Sequence, residues 1–447
     1  MELKRKFYDK LIQWKLKSQG STSMLIEGAR RVGKSYVATM FAKNNYKSHI
    51  IIDFANIDPA VTAIFEHNST DLELFFNKLS AYYGVKLHRR ESLIVFDEVQ
   101  LYPKARQMTK YLVADGRYDY LLTGSLITLK QNVENIVIPS EEESLTMHPL
   151  DFEEFLWAIG NDVMADYIKE CFRNKTPLGQ AMHRKAMDYF KQYMLVGGMP
   201  QAVLEYAQNH DFERTDAVKR RILKLYRNDI SKFAKGYESK VSAIFDEIPS
   251  QLSKHEKKFN LASLTKTARM REYEDAFMWL ADAKVVNTCF NNTDPNRGLG
   301  LNMVQSSLKC YMADTGLLFS LAFSETEIMD NEIYKAILFD KLHLNEGMFM
   351  ENIVAQMLVS SGHRLFFYSK NSPDNADDRI EIDFLIAQGR KIAPLEIKSA
   401  RYQQHVSLDK FIAKYKSRIG SKYIVYTKDL METDGILFIP VYMTSLI

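Results

Sequence analysis

Short apolar runs alternate with helical patterns through residues 1–160. The runs are rich in β-branched and aromatic residues, and the first is followed by a helical pattern at residues 34–44. Uninterrupted runs of this composition suit strands that are buried on both faces of a sheet. Their alternation with helices predicts an α/β fold with a parallel sheet. The four runs lie at residues 24–29, 48–56, 92–99 and 118–126.

The middle of the chain has a helical pattern instead. Residues 149–160, 182–198 and 214–233 place apolar side chains with the 3.6-residue period of amphipathic helices. Residues 259–286 have the pattern of two short helices, a turn and a strand, which predicts a winged helix-turn-helix.

The last segment returns to an α/β pattern. A helix is predicted at residues 347–362, followed by several strands and a further helix. The chain is therefore divided into a core, a helical segment, a winged-helix-like domain and a terminal α/β domain. The predicted strands are 363–369, 381–387, 393–400 and 421–427, and the predicted domains are 1–160, 161–240, 241–330 and 331–447.

Composition narrows the picture only slightly. A chain of 447 residues has room for about three domains at ~150 residues each. A hydrophobic content of 46%, a charged content of 26% and a net charge of +3 are ordinary for a globular protein and do not by themselves imply a nucleic-acid partner. No apolar run approaches the ~18 residues of a membrane span, and no signal peptide follows the basic start, so a cytoplasmic protein is expected. Three distant cysteines indicate buried free thiols.

Candidate chemistry begins at the end of the first apolar run, where the sequence fits G-x-x-x-x-G-K-[ST]. Glycines let the backbone curl so that successive N–H groups point at phosphate oxygens, and the following helix adds its positive end. Lys34 is expected to reach the β- and γ-phosphates of ATP, and the Ser35 hydroxyl to bind Mg²⁺. The motif comprises Gly28, Ala29, Arg30, Arg31, Val32, Gly33, Lys34 and Ser35.

The third apolar run ends in two carboxylates, Asp97 and Glu98. Asp97 is expected to hold Mg²⁺, and Glu98 to act as the base that polarises the attacking water. Without a ligand, the same motifs would form only a helix start beside an acidic strand end. Their order and spacing favour the nucleotide site.

Other parts of this site stay open. Thr123 and Ser125 lie at the end of the fourth run, which is expected to be adjacent to the third in the sheet. Their hydroxyls can sense the γ-phosphate or cap a turn. Arg221 and Arg227 are candidates for an arginine finger, although a basic helix face is usually only solvated.

These segments resemble the prokaryotic AAA-superfamily ATPases that carry a C-terminal domain of uncharacterised function. The resemblance implies an ATPase core, a helical and winged-helix middle, and a terminal domain like restriction endonucleases. It spans nearly the whole chain, and its later segments are more specific than the phosphate loop. It rests on GARRVGKS, LIVFDEVQ, LLTGS, PLDFEEF, VGGMPQAV, KCYMADTGLL, ENIVAQML, EIDFLI and PLEIKSA.

The last domain contains a second constellation of charged residues. Glu396 and Lys398 are two apart in one strand and share a face, and Asp383 lies in a preceding strand. Glu351, on the helix before them, completes a D…E-x-K arrangement that resembles restriction-type nucleases. Asp383 and Glu396 would hold Mg²⁺ against a phosphodiester, and Lys398 would stabilise negative charge. Alternating charged and apolar residues also describe any half-exposed strand, and such a fold can serve for binding alone.

Three functions are compatible with these motifs. The first is a Mg²⁺-dependent AAA-type ATPase whose nucleotide state controls the winged-helix and nuclease-like tail and which acts on DNA. The second is an ATP-controlled switch that binds a protein partner with little turnover, and the third is a nuclease that ATP licenses. The second helix of the predicted winged helix mixes Arg269 and Arg271 with Glu272 and Glu274, so protein contact and DNA contact stay open. A homo-oligomer is expected only by analogy with AAA proteins.

Overall fold

The computed structural model describes residues 2–124, 140–254, 258–296, 298–324, 331–338, 346–370, 379–398 and 402–447. The chain divides into two compact units. The N-terminal unit comprises Lys4–His148 with Asp282–Lys284, and the C-terminal unit comprises Met1–Leu3, Pro149–Ala281 and Val285–Ile447.

The N-terminal unit contains a five-stranded sheet in the order β2-β3-β4-β1-β5, and all of its neighbouring strands are parallel. This confirms the predicted parallel α/β fold. The strands are β1 (Ser23–Gly28), β2 (Ser48–Asp53), β3 (Ser92–Asp97), β4 (Asp119–Gly124) and β5 (Glu142–Met147). The helices are α1 (Phe7–Ser18), α2 (Lys34–Asn45), α3 (Pro59–Asn68), α4 (Leu72–Tyr83) and α5 (Pro103–Asp115).

The hydrophobic sequence runs account for the core of this unit. Phe54, Phe65, Phe75 and Phe96 are buried and pack edge to face with one another. The sequence did not indicate β5, because its residues Glu-Glu-Ser-Leu-Thr-Met lack an apolar run. An edge strand that is only partly buried does not require one.

The strand order decides where the candidate residues lie. Because β4 lies between β1 and β3, the end of β4 adjoins both the phosphate loop after β1 and the acidic end of β3. The predicted adjacency of the third and fourth runs is confirmed. The carboxyl ends of parallel strands meet at one edge of the sheet, where ligands of α/β proteins bind.

The C-terminal unit begins with a bundle of helices. Asp151 starts the first of them with a capping box, in which its side chain accepts from Glu154 N while Glu154 accepts from Asp151 N. The helices are α6 (Phe152–Ala158), α7 (Asp162–Asn174), α8 (Gln180–Val196), α9 (Pro200–Asn209), α10 (Phe212–Phe233), α11 (Glu238–Ser253), α12 (Met270–Asp282), α13 (Thr315–Ala322), α14 (Asn331–Leu338), α15 (Glu346–Ser360) and α16 (Val406–Tyr415).

A buried ion pair joins the helices of this bundle. On α10, Asp216 and Lys219 are both fully buried, and their charged atoms lie 3.8 Å apart. The Lys219 ammonium donates to Leu195 O at 2.7 Å, and the Asp216 carboxylate accepts from Ser320 and from Tyr334 on α14. Burial lowers the pKa of Lys219 to about 8, although the charge of Asp216 acts in the opposite direction.

The C-terminal unit also contains an eight-stranded mixed sheet in the order β12-β13-β11-β10-β9-β8-β6-β7. The antiparallel pair β6–β7 lies in the predicted winged-helix domain, yet β6 pairs with β8 of the predicted nuclease-like domain. The strands are β6 (Val286–Asn292), β7 (Met303–Met312), β8 (Phe366–Lys370), β9 (Ile380–Gln388), β10 (Lys391–Lys398), β11 (Tyr423–Tyr426), β12 (Met431–Thr433) and β13 (Ile436–Pro440). The predicted domain boundaries stay predictions. The sheet is continuous across the boundary predicted after residue 330, because β6 precedes that residue and β8 follows it.

The predicted helix-turn-helix differs from the structure at its first helix. Residues Leu261–Ser263 form only a single 3₁₀ turn, whereas α12 and β6 follow as expected. The Gln251 side chain accepts from Asn260 N and donates to Ser263 Oγ. Hydrogen bonds from a side chain therefore hold this turn in place, where a longer helix would rely on backbone hydrogen bonds.

Two expectations from composition can be compared with the structure. All three cysteines, Cys171, Cys289 and Cys310, are buried and free of disulfides, as predicted. Among the described residues, no helix combines the length and the apolar character needed to cross a membrane.

Candidate nucleotide site and carboxylate cluster

The phosphate loop connects the end of β1 to the start of α2. Its backbone turns through Arg31 at φ 69° and Gly33 at φ 99°, in a region that favours glycine. Gly28 is packed against a neighbouring strand, since a Cβ at this position would lie 2.5 Å from Met147 O. The loop thus has the curled backbone that an anion nest requires, with the N-terminus of α2 directly behind it.

Lys34, the first residue of α2, is buried within this loop. Its ammonium donates to Gly28 O and to Ala29 O, both at 3.1 Å. Burial lowers the pKa of Lys34, and the charges of Glu98 and Asp97 act in the opposite direction. Neutral carbonyl acceptors compensate a buried ammonium less well than an anion does, so an anion in the loop would be a favourable partner.

A chain of hydrogen bonds joins α2, β3 and β4 beside the loop. The Ser35 hydroxyl donates to Asp97 Oδ1 at 2.8 Å, and the Thr123 hydroxyl donates to the same oxygen at 2.5 Å. The Thr123 hydroxyl also accepts from Glu98 N at 3.0 Å. Burial raises the pKa of Asp97, while these two hydroxyl donors act to lower it. The structure therefore brings together four predicted residues: Lys34, Ser35, Asp97 and Thr123.

Glu98 lies just beyond the end of β3 in a left-handed backbone conformation with φ 54°. Its carboxylate accepts a hydrogen bond from Gln100 Nε2, and Gln100 is itself buried. Sequence reasoning missed Gln100, which carries no motif; only its closeness to Glu98 in the chain could have indicated it. Ser125, the other predicted hydroxyl, lies outside the described residues.

The arginine-finger candidates lie on α10 of the C-terminal unit. Both are exposed, and Arg227 Nη2 donates to Asp246 on α11 at 2.6 Å. The two arginines remain candidates from sequence alone.

The candidate carboxylates of the C-terminal unit lie around the first half of β9. Asp383 Oδ2 accepts from Ile397 N at 2.8 Å, and Ile397 lies between Glu396 and Lys398 on β10. Lys398 Nζ forms an ion pair with Glu396 Oε1 at 2.6 Å. The adjacent strands predicted to carry these residues are thus neighbours in the sheet.

Glu351, on α15, is held by residues that sequence reasoning missed. Lys309 Nζ lies 2.7 Å from Glu351 Oε1, and the Tyr311 hydroxyl donates to the same oxygen at 2.5 Å. Both partners are buried on β7, where their spacing of two residues places them on one face. The two-residue spacing could have indicated that Lys309 and Tyr311 act together. Their segment was predicted to lie in the domain 241–330, however, and Glu351 in the domain 331–447.

Electrostatics links Asp383 to Lys309 and Glu351. Desolvation raises the pKa of Asp383 to about 7; the charge of Lys309 opposes this rise, and that of Glu351 adds to it. Burial also raises the pKa of Glu396, while Lys398 acts to lower it. Within the described part of the chain, no group of three or more His, Cys, Asp and Glu side chains is arranged to hold a metal ion.

Comparison with protein families agrees with the fold and loop of the N-terminal unit. Residues 21–156 match the family model described as an AAA domain. Together with the parallel sheet, this shows that the chain contains a P-loop ATPase domain of the AAA type, as the sequence predicted.

Two further segments match families without a described activity. Residues 187–327 match a domain of unknown function, DUF8612, and residues 346–443 match another, DUF4143. The second match agrees with the expected C-terminal domain of uncharacterised function. It does not test the winged-helix or nuclease-like character. No curated protein matches the chain.

Several solved structures resemble parts of the chain. The Orc1 protein of Aeropyrum pernix in complex with DNA is 11% identical, with 73% of this chain and 93% of that chain covered, at a TM-score of 0.27. Cdc6p from Pyrobaculum aerophilum is 10% identical, with 76% and 96% covered, at a TM-score of 0.24. Similarity at this level supports no inference about this chain.

Proposed function

We propose that the AAA domain binds ATP with Mg²⁺ and hydrolyses it. One observation carries the proposal: Ser35, Asp97 and Thr123 are joined by hydrogen bonds beside a curled phosphate loop, with Glu98 N bound to the same threonine. These contacts place a hydroxyl, a carboxylate and a candidate base at one edge of the sheet.

The residues fit the nucleotide and its metal. Oxygen ligands suit Mg²⁺, and Ser35 Oγ and Asp97 Oδ1 are two oxygens only 2.8 Å apart. Ser35 would hold the ion directly and Asp97 directly or through water. Bound there, Mg²⁺ neutralises charge on the phosphate oxygens.

The chain's own groups perform the remaining work. Lys34 exchanges its two carbonyl partners for phosphate oxygens, which stabilises the charge that develops during phosphoryl transfer. Glu98 orients the attacking water and accepts its proton. Thr123 fixes the Asp97 carboxylate through its hydroxyl hydrogen and the backbone N–H of Glu98 through its hydroxyl oxygen, and Gln100 donates to the Glu98 carboxylate.

The test combines phosphate release with equilibrium ATP binding in the full-length protein. We expect Lys34→Ala to abolish binding. We expect Glu98→Gln to bind ATP but to hydrolyse it roughly 10²- to 10⁴-fold more slowly, the usual contribution of a general base. Glu91→Gln is the matched control, because Glu91 is an exposed residue paired with Lys47.

Other outcomes would contradict the proposal. If Glu98→Gln retained wild-type turnover, Glu98 would not be the base. If the wild type bound ATP tightly without turnover, the binding-switch hypothesis would be favoured instead. If no purine triphosphate bound in the presence of Mg²⁺, the assignment of the loop would be wrong.

We further propose that the nucleotide state controls the rest of the chain during action on DNA. The helical bundle, the predicted winged helix and the shared sheet form one compact unit on which such a signal could act. Phosphate release measured with and without duplex DNA tests this. A rate that does not respond to DNA at low salt would contradict it, and would favour a protein partner.

A further inference from the structure

The carboxylate cluster around β9 was predicted to hold Mg²⁺ for phosphodiester cleavage. Such a centre needs carboxylate oxygens that converge on one point and are free to bind a cation. In the structure, two of these carboxylates are already paired with lysines of the chain: Glu351 with Lys309 and Glu396 with Lys398.

Glu351 is bound by a buried cation of the chain itself. The Lys309 ammonium lies 2.7 Å from Glu351 Oε1, and the side chains are only 8% and 16% exposed. The Tyr311 hydroxyl, which is completely buried, donates to the same oxygen. Removing one partner of a buried ion pair leaves the other charge uncompensated, so neither residue can leave the pair without a large cost.

Lys309 also acts on Asp383. Burial lowers the pKa of Lys309, but the charges of Glu351 and Asp383 outweigh it and the pKa is raised. Asp383 is further held by a hydrogen bond from Ile397 N to Oδ2. Lys309 on β7 is thus the bonded counter-ion of Glu351 on α15, and its charge also acts to lower the pKa of Asp383 on β9.

The E-x-K pair supplies its own cation. Glu396 is paired with Lys398, and further charges that act on it come from His405 and Asp409 near the start of α16. The charge of Glu396 in turn adds to the rise in the pKa of Asp383. Glu396 Oε2 is buried without a hydrogen-bond partner among the described residues. A single carboxylate oxygen is a weak metal site.

We infer that Lys309 serves as the internal counter-ion of Glu351 in place of a divalent metal, while Ile397 N holds Asp383 and Lys398 holds Glu396. The pair of Lys309 and Glu351 is then an ion-pair core that fastens β7 to α15, and the C-terminal unit does not cleave nucleic acid through these residues. Lys309 lies outside the D…E-x-K pattern, so the pattern can be complete in sequence and still lack a metal site.

Direct metal binding tests the inference without an activity assay. Mn²⁺ is titrated by electron paramagnetic resonance into the nucleotide-free full-length Asp97→Asn protein, which lacks the carboxylate ligand of the nucleotide site. We expect the same weak binding when Asp383→Asn or Glu396→Gln is added. A stoichiometric Mn²⁺ site that either substitution removes would overturn the inference.

A double-mutant cycle provides the second measurement. We expect Lys309→Met to lower the Tm of the protein by roughly 5–10 °C, because it removes the ammonium that is paired with the largely buried Glu351 carboxylate. In the Glu351→Gln background the same substitution should cost much less. Lys335→Met, in an exposed pair with Glu332, is the matched control and should leave the Tm unchanged. Equal effects of Lys309→Met in both backgrounds would contradict the ion-pair core.

Discussion

Thr123 at the end of β4 donates to the carboxylate of Asp97 at the end of β3, and the same hydroxyl accepts from the backbone N–H of the next acidic residue, Glu98. The contact depends on the sheet order, since β4 lies between the strand that leads into the phosphate loop and the strand that ends in the two carboxylates. A hydroxyl is required because it donates to Asp97 while accepting from Glu98 N.

We expect Thr123→Val to impair hydrolysis more than binding. Loss of a hydrogen bond to a charged group costs about 1.5–3 kcal/mol, which corresponds to a roughly 10- to 100-fold lower kcat. Steady-state phosphate release and ATP titration measure the two effects separately. Thr109→Val is the matched control, because the Thr109 hydroxyl is equally buried but donates to Ala105 O within α5. An unchanged kcat in Thr123→Val would exclude the positioning role.

We expect Gly28→Ala to weaken ATP binding. The new Cβ would lie 2.5 Å from Met147 O, so the loop must shift away from β5. A strain of about 1–3 kcal/mol corresponds to a roughly 5- to 150-fold lower affinity. Calorimetric titration of ATP with Mg²⁺ measures it. Gly300→Ala serves as the control, since the added Cβ would meet only the end of the Arg364 side chain at 3.4 Å. Equal affinities in both variants would show that the loop tolerates the displacement.

We expect Arg106→Met to destabilise the N-terminal unit. Arg106 on α5 forms two hydrogen bonds with Glu142 on the edge strand β5, and the two side chains are 7% and 5% exposed. Breaking a buried pair costs about 3–5 kcal/mol. The exposed pair of Lys104 and Glu66 is the control, and Lys104→Met should cost about 0–1 kcal/mol.

The chain allows this measurement to be confined to one unit. Of the three tryptophans, only Trp14 lies in the N-terminal unit. Urea unfolding followed by fluorescence in a Trp157→Phe, Trp279→Phe background therefore reports on that unit. A cost for Arg106→Met no larger than that for Lys104→Met would show that the buried pair contributes little.

We expect the buried Lys219 to make the stability of the C-terminal unit depend on pH. The pKa of Lys219 is about 8 when folded, against an ordinary value of 10.5. The unfolded chain therefore binds more protons between these values, and the free energy of unfolding rises with pH in that window. Relative to Lys219→Met, the wild type should gain about 2 kcal/mol between pH 7 and pH 9.5.

Urea unfolding followed by tryptophan fluorescence at both pH values measures this difference. A Trp14→Phe background ensures that the remaining tryptophans report on the C-terminal unit. Lys335→Met provides the control, since Lys335 is exposed. The difference in the free energy of unfolding between this variant and the wild type should not change with pH. The expected titration would be contradicted if the wild type gained no free energy of unfolding relative to Lys219→Met between pH 7 and pH 9.5.

The sequence predicted the local geometry of the candidate nucleotide site because that geometry depends on local signals. The phosphate loop, the helix after it and the acid pair at the end of β3 each lie within one short segment of the chain. Gln100 escaped notice because a buried amide that contacts Glu98 belongs to no motif.

The carboxylate cluster could not be predicted in the same way. Asp383, Glu396 and Lys398 were correctly placed on neighbouring strands, but Lys309, the ion-pair partner of Glu351, lies 42 residues before it in the chain. Its position depends on the pairing of β6 with β8, a contact between segments that the hydrophobic pattern assigned to separate domains. Long-range strand pairing leaves no periodic signal in either segment.

The pairing of β6 with β8 also limits how the protein can be divided. A fragment starting at residue 331 would leave β8 as an open edge, with backbone N–H and C=O groups free to recruit strands from other molecules. Such a fragment is expected to aggregate, whereas one starting at Pro149 keeps the whole sheet together.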